Sequence, residues 1–373
     1  LPLAPDETIQ NSKLFFYDLN LKANYELSDK DILYVSGYFG RDVLGLSELF
    51  GINWGNATAT LRWNHLVNEK MFVNTSLVYS DFNYGVDINF AENASFGLDQ
   101  SINDVYIKSD WTNFVNQKSK LNFGGQVIYH RFNPGLFAPN NEESALIFQE
   151  TQLEKRKALE SGWYIDHEYK HSTRLNFRYG LRLSSFSNIG GSEYTYTKSQ
   201  ETFEPIDALT DTALYGKNEF YNTYWGLEPR ASVSYNLNTT TAIKGSYNRT
   251  FQYVQQATNT ASAFPTDQWF SVNENVKPQR ADQVAVGLFK NFNIGLEASA
   301  EVYYKWMDNQ IDYRDNAALA FNEQLDGELL TGDGWAYGAE FYVAKTEGTS
   351  SGFVSYTWAK TMRQIDGISG NNP

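Results

Sequence analysis

The sequence predicts an all-β fold, the wall of an antiparallel up-and-down transmembrane β-barrel. Three observations carry that expectation. Hydrophobic residues recur with period two rather than the helical period, the connections alternate short and long, and the 373 residues include 25 Tyr, 25 Phe and 9 Trp. Successive side chains of a strand point to opposite faces, so period-two alternation gives each segment one apolar and one polar face.

The first segment sets Tyr17, Leu19, Leu21, Ala23, Tyr25 and Leu27 against Asp18, Asn20, Lys22, Asn24 and Glu26. A later one sets Gly55, Ala57, Ala59, Leu61 and Trp63 against Asn56, Thr58, Thr60, Arg62 and Asn64. Farther on, Leu175, Phe177, Tyr179, Leu181 and Leu183 alternate with Asn176, Arg178, Gly180 and Arg182. Applied to the whole chain, the rule finds about fourteen strands. Short polar turns fall near 28–31, 68–70, 116–120, 170–173, 238–241, 291–293 and 347–351. Long connections fall near 42–52, 84–100, 132–157, 188–222, 252–281 and 308–334. Outer-membrane barrels have this asymmetry, with tight periplasmic turns and longer extracellular loops. A soluble sandwich has no physical reason to gather every long loop at one end.

Dimensions agree. Leu175 to Leu183 spans roughly 25 Å at ~3.3 Å per residue, which tilted by ~45° covers most of an apolar band ~25 Å tall. Tyr25, Trp63, Tyr169 and Tyr235 lie on the apolar parity beside short turns, where amphipathic rings mark the membrane–water boundary. The opposite parity carries Lys22, Glu26, Arg62, Arg174, Arg178, Arg182, Glu228, Arg230, Glu297 and Glu301. That face is too polar for a packed core and fits a water-filled channel or a barrel holding a plug.

Composition removes other classes. No apolar run of about 18 residues exists to cross a bilayer as a helix. The net charge of −14, without a basic stripe, argues against nucleic acid as a partner. Cysteine is absent, which removes disulfides, thiolate metal sites and cysteine nucleophiles.

One catalytic motif matches literally: His167, Glu168 and His171 spell H-E-x-x-H. Zinc chemistry needs both imidazoles on one face of a helix. The flanking alternation instead predicts a hairpin over 162–184, which sets the two His about 13 Å apart, too far to share one zinc. No enzyme activity and no cofactor are therefore expected. The long connections concentrate aromatic and polar groups, and Tyr253, Phe264, Asp267, Trp269 and Trp335 are the candidate ligand-binding residues of an extracellular mouth. Packing within the loops is the competing role for each of them.

A resemblance sharpens the reading. Residues 247–253 (Tyr-Asn-Arg-Thr-Phe-Gln-Tyr), 265–269 (Pro-Thr-Asp-Gln-Trp) and 277–279 (Lys-Pro-Gln) resemble the barrel of Bacteroidetes TonB-dependent receptors. So do 225–230 (Trp-Gly-Leu-Glu-Pro-Arg), 303–305 (Tyr-Tyr-Lys) and 334–340 (Gly-Trp-Ala-Tyr-Gly-Ala-Glu). The resemblance is most specific between about 220 and 362. It implies a barrel of about 22 strands enclosing a plug, of which residues 1–373 are a partial barrel domain without the plug or the terminal strands. It also implies TonB-energised uptake of a scarce small nutrient across the bacterial outer membrane. The partners so implied are membrane lipid, the TonB complex acting through the plug, and a surface lipoprotein. A passive porin and a secreted soluble glycan-binding β-protein are the alternatives. The fragment expectation has a geometric form: the first strand near 15–27 and the last near 353–361 should be unpaired edges.

Overall fold

The computed structural model of the chain describes residues 12–46, 49–91, 94–196, 209–257, 268–292, 295–314, 317 and 325–368. Its framework is one antiparallel sheet in strict sequence order. The strands are β1 (Lys13–Ser28), β2 (Asp31–Leu46), β3 (Phe50–Asn68), β4 (Met71–Ala91), β5 (Ala94–Asn116) and β6 (Ser119–Pro139). The two-residue β7 (Thr151–Gln152) pairs off the main path with β6. The path continues through β8 (Arg156–Lys170), β9 (Leu175–Tyr196), β10 (Leu209–Asn236) and β11 (Thr241–Gln252). A small hairpin, β12 (Val254–Ala257) with β13 (Gln268–Ser271), forms a sheet of its own. The path ends with β14 (Gln279–Phe292), β15 (Leu296–Tyr313), β16 (Leu329–Lys345) and β17 (Gly352–Ile365). Setting β7 aside from the 15-stranded sheet leaves a path of fourteen strands, as the alternation predicts. Among the described residues β1 pairs only with β2 and β17 only with β16, so the path is open at both ends.

Register fixes the faces. Tyr25, Leu33 and Trp63 stand on one line across β1–β3, and Leu21, Gly37 and Ala59 on another. Ile165, Leu181 and Pro229 share a line across β8–β10. The same outward parity leaves Leu19, Leu61, Leu77, Ile107, Ile165, Leu181, Val286 and Val302 exposed. Exposed apolar side chains on this scale mean a lipid contact, because all backbone groups of a ladder are satisfied and only the side chains meet hydrocarbon. The H-E-x-x-H segment lies on β8, with His171 just past its end. His167 faces outward, its ring nitrogens 2.8 Å from Tyr179 Oη and 2.6 Å from Ser119 Oγ.

Two of the expected long loops are instead strand, and so is most of a third, 188–222, where β9 runs to Tyr196 and β10 begins at Leu209. β2 and β3 continue to Leu46 and Phe50, and β4 and β5 to Ala91 and Ala94, where loops were expected at 42–52 and 84–100. The physical reason is a reversal of hydrophobic phase partway up each strand. In β3 the outward residues are Leu61, Ala59 and Ala57 below, then Gly55, Asn53 and Gly51 above. The inward residues change oppositely, from Arg62, Thr60 and Thr58 to Trp54, Ile52 and Phe50. β4 reverses at Asp81 and β5 at Asn103, and the inner positions above them become Val86, Ile88, Leu98 and Phe96. Below the reversal the outside is lipid and the inside is wet. Above it the outside is water, and the inside packs against loops that fold into the barrel. Asp81, Asn103, Arg131 and Lys157 share one register line, which draws the upper edge of the apolar band.

The inward loops build three small cores. Leu153 packs with Ile52, Val86, Leu98 and Phe137; Tyr253 and Val272 pack with Phe132, Ala158 and Phe186; Val276 packs with Ile311, Tyr313, Leu325 and Leu329. Register shifts in β10 and β15 bend the wall above this edge, aided by Asn222 (φ 46°) and Asn309 (φ 55°). Bulges of this kind re-aim strands at barrel rims.

Candidate functional site: the lumenal wall and its mouth

The inward parity of β5, β6, β8, β9 and β10 assembles a field of alternating charge. Arg178 Nε donates to Asp166 Oδ1 at 2.9 Å and Oδ2 at 3.1 Å, Lys120 Nζ lies 2.9 Å from Glu168, and Lys108 Nζ lies 3.0 Å from Asp110. Higher up, Arg182 stands between Glu160 at 3.8 Å and Glu228 at 3.6 Å, and Arg230 lies 3.7 Å from Glu228. The Asp166 and Glu228 carboxylates are buried and depend on their arginines for compensation, whereas the half-exposed pairs Lys120–Glu168 and Lys108–Asp110 each contribute only about 0–1 kcal/mol. Their effect is positional, since they hold long side chains flat against the wall and keep the lumen face nearly neutral locally. Lys108, Asp110, Lys120, Asn122, Asp166 and Arg178 surround a concavity of about 360 Å³. It offers donors and acceptors in alternation and no nucleophile–base arrangement. Among the described residues no group of three or more acidic, His or Cys side chains is placed to hold a metal ion.

Glycine lets this wall be thin. Gly124 lies under Tyr164, whose hydroxyl crosses it to donate to Asp110 Oδ1 at 2.6 Å, and a Cβ there would collide with the Ser109 carbonyl oxygen and meet the Tyr164 hydroxyl at 3.1 Å. The next residue, Gly125, faces outward and is covered by the Trp163 ring. Aromatic side chains laid across glycine in this way restore packing that the glycine removes.

The mouth is narrowed by the segment that follows β11. Tyr253 stacks on Phe186 with ring centroids 5.5 Å apart, and its hydroxyl lies 2.7 Å from Ser184 Oγ. Asn188 Nδ2 donates to the Val272 carbonyl at 2.7 Å, and Tyr224 Oη donates to the Asn273 carbonyl at 2.7 Å. Asp326 accepts from Tyr196 Oη at 3.2 Å and from Asn273 and Asn275, each at 3.0 Å. Burial first, and then the Asp326 carboxylate, push the Tyr196 phenol above its ordinary range, so it acts as a donor. These bonds clamp the loop against the inner face of β9 and β10.

The candidate ligand residues therefore separate. Tyr253 is only 4% exposed and serves as a packing anchor of the inward loop. Trp269 is half-buried in β13, with its Nε1 donor enclosed and without a hydrogen-bond partner. Phe264 and Asp267 lie outside the described residues. Trp335 requires a correction. Its register partners are Trp306 and Met362, which puts it on the outward parity beside the lipid-facing Tyr304 and Tyr337. Rings in that position belong to the upper aromatic belt and not to the mouth. The inward cores lie outside the strand alternation, and in the sequence only the isolated apolar residues Leu153, Val272, Val276 and Leu325 within polar connections signal them.

A wall with a lipid-facing exterior, a charged lumen and a loop-narrowed mouth defines part of a transmembrane β-barrel. Residues 6–373 match the family model described as TonB dependent receptor-like, beta-barrel, so the chain belongs to that family and lies in the outer membrane. No curated protein matches it. Among solved structures it resembles the FrpB iron transporter of Neisseria meningitidis, at 10% identity and TM-score 0.66, over 96% of this chain and 55% of that one. It resembles the siderophore receptor PiuA of Acinetobacter baumannii at 10% identity and TM-score 0.66, over 98% and 59% of the two chains. The hemophore receptor HasR of Serratia marcescens aligns at 11% identity and TM-score 0.59, over 94% and 55%. The chain thus spans little more than half the length of the solved structures it matches.

Proposed function

We propose that this chain is the wall and outer loops of an active importer that captures a scarce nutrient and admits it with energy delivered by TonB. The observation that carries the reading is the family match together with a mouth narrowed by inward-packed loops. In this reading the charged lumen beneath faces a plug, further strands close the open path into a barrel of about 22 strands, and a surface lipoprotein of the kind found with Bacteroidetes receptors seats over the loops. Of the candidate residues we carry forward Trp269, with Phe264 and Asp267 of the same segment, because Trp269 is half-buried on the hairpin that follows β11 and its indole N–H has no acceptor among the described residues.

The test is uptake by cells carrying the intact receptor, at limiting concentrations of a ferric siderophore, haem, a copper complex and an oligosaccharide. One of these should be imported, and import should stop when TonB is deleted. Import that persists without TonB would support the passive porin. Trp269→Phe, which keeps the ring and removes the donor, should weaken capture without lowering the amount of receptor in the membrane. Unchanged uptake would return Trp269 to loop packing.

A further inference from the structure

We propose that Arg131 of β6 and Lys157 of β8 form a docking site for the phosphate of an outer-leaflet lipid headgroup. The two residues are direct register partners on the outward face, on the line that closes the top of the apolar band. Neighbouring strands lie about 4.8 Å apart, and like charges directly opposite one another are destabilising. Repulsion is screened less beside hydrocarbon than in water. Among the described residues neither cation makes an ion pair. Arg131 is exposed and its guanidinium lies 5.4 Å above the Tyr129 ring, while Lys157 is half-buried.

Some other outward charges near this edge are neutralised within the chain, and the Arg41 guanidinium donates to the Asn53 side chain. Arg249 Nε lies 2.8 Å from Asp282, which also accepts from Tyr247 Oη at 2.6 Å, and Arg280 pairs with Asp308. The carboxylate on the same line as Arg131, Asp81 of β4, accepts from Asn103 Nδ2 at 2.7 Å. The Arg131–Lys157 couple lacks such a counter-charge, and its position says what supplies one. Directly below it on the outward face stand Tyr129 and Leu159, then Val127 and Ser161, all within the lipid-facing band. The molecule that covers those rows is a lipid, and its headgroup reaches the height of the cations. A guanidinium fork beside an ammonium group matches a phosphate monoester, with two parallel N–H···O bonds from the arginine and a point charge from the lysine. The aromatic ring beneath holds the guanidinium at the boundary.

The experiment is native mass spectrometry of the intact receptor, delipidated in mild detergent and titrated with diphosphorylated lipid A or with the same lipid after dephosphorylation. The wild type should retain the phosphorylated lipid preferentially. Arg131→Gln with Lys157→Gln should reduce that retention by about fivefold per cation removed, whereas Lys360→Gln, at an outward cation on β17 whose register partner is Tyr337, should leave it unchanged. Lys157→Glu supplies an internal counter-charge to Arg131, so it should abolish lipid retention while leaving the barrel at least as resistant to heat. Equal retention by the double variant would overturn the proposal, as would equal retention of the dephosphorylated lipid. Displacement of the lipid by inorganic phosphate at matching concentration would mark a free-anion site and overturn it equally.

Discussion

Leu61 and Arg62 are adjacent on β3, yet the fold sends them to opposite solvents, and exchanging their chemistry measures the difference. Leu61 is 44% exposed, faces outward and has Val35 and Leu77 as register partners. It stands four residues below Ala57, the register partner of Asp81 on the upper edge, and four above His65, near the periplasmic turn. Four residues at ~3.3 Å, tilted by ~45°, give about 9 Å of depth to either boundary. An arginine there cannot bring its guanidinium fully into water, so Leu61→Arg should destabilise the barrel by about 2–4 kcal/mol. Arg62 faces the lumen, exposed, with its guanidinium 4.5 Å above the Tyr34 ring. Arg62→Gln removes that contact and should cost about 0.5–1 kcal/mol. Urea unfolding of the intact receptor in lipid vesicles, followed by tryptophan fluorescence, compares the two. Equal penalties, or a larger one at Arg62, would refute the assignment of faces.

Tyr253→Phe removes the bond to Ser184 Oγ and should loosen the inward loop by about 1 kcal/mol, read as faster amide exchange over 268–277 with the transmembrane strands unchanged. Asp31, at the first periplasmic turn, accepts from Ser28 Oγ at 2.7 Å, Trp63 Nε1 at 2.9 Å and His65 Nδ1 at 2.7 Å, and these bonds, Ser28 foremost, hold its carboxyl below the usual 3.8. A depressed folded pKa stabilises the turn above the unfolded value and is lost as pH falls through the folded one. Acidification below about pH 4 should therefore change the Trp63 environment, and Asp31→Asn should abolish the pH dependence while leaving the spectrum near its acid form. Asp87, exposed on the outer face of β4, shows the opposite sign: partial desolvation of its carboxyl, then the Asp99 charge, raise it above 3.8, so ionising it opposes folding of the β4–β5 extension. Asp87→Asn should slow amide exchange in that extension at neutral pH, and faster exchange would contradict the assigned cause.

The alternation was a reliable guide where one face meets lipid and the other water. It ordered the fourteen path strands and set the parity of Leu181 against Arg182. It stopped being a guide where both surroundings change. At Gly55, Asp81 and Asn103 the apolar positions move to the other face, and a reader following one parity sees the pattern fail and infers a loop. The position of Trp335 eludes the alternation for a related reason. A tryptophan next to a long connection suits a ligand mouth and an aromatic belt equally, and only its pairing with Trp306 decides. The burial of Tyr253 depends on Phe186 and Ser184, distant in sequence, so local pattern carried no sign of it.

The reversal of phase on neighbouring strands also works as a depth gauge. Suppose the bilayer rose along the wall by two residues, about 6–7 Å of strand and roughly 5 Å of height at a ~45° tilt. Asp81, Asn103, Arg131 and Lys157 would enter hydrocarbon together, because register ties them to one line. A fall of the same size would wet Leu159, Tyr129, Val105 and Tyr79. The restoring force acts on several strands at once, so vertical drift is stiff even where each side chain contributes little. A membrane of the wrong thickness must then deform around this wall. The mouth keeps a constant height above the lipid surface, and a partner approaching from outside always meets it at the same level.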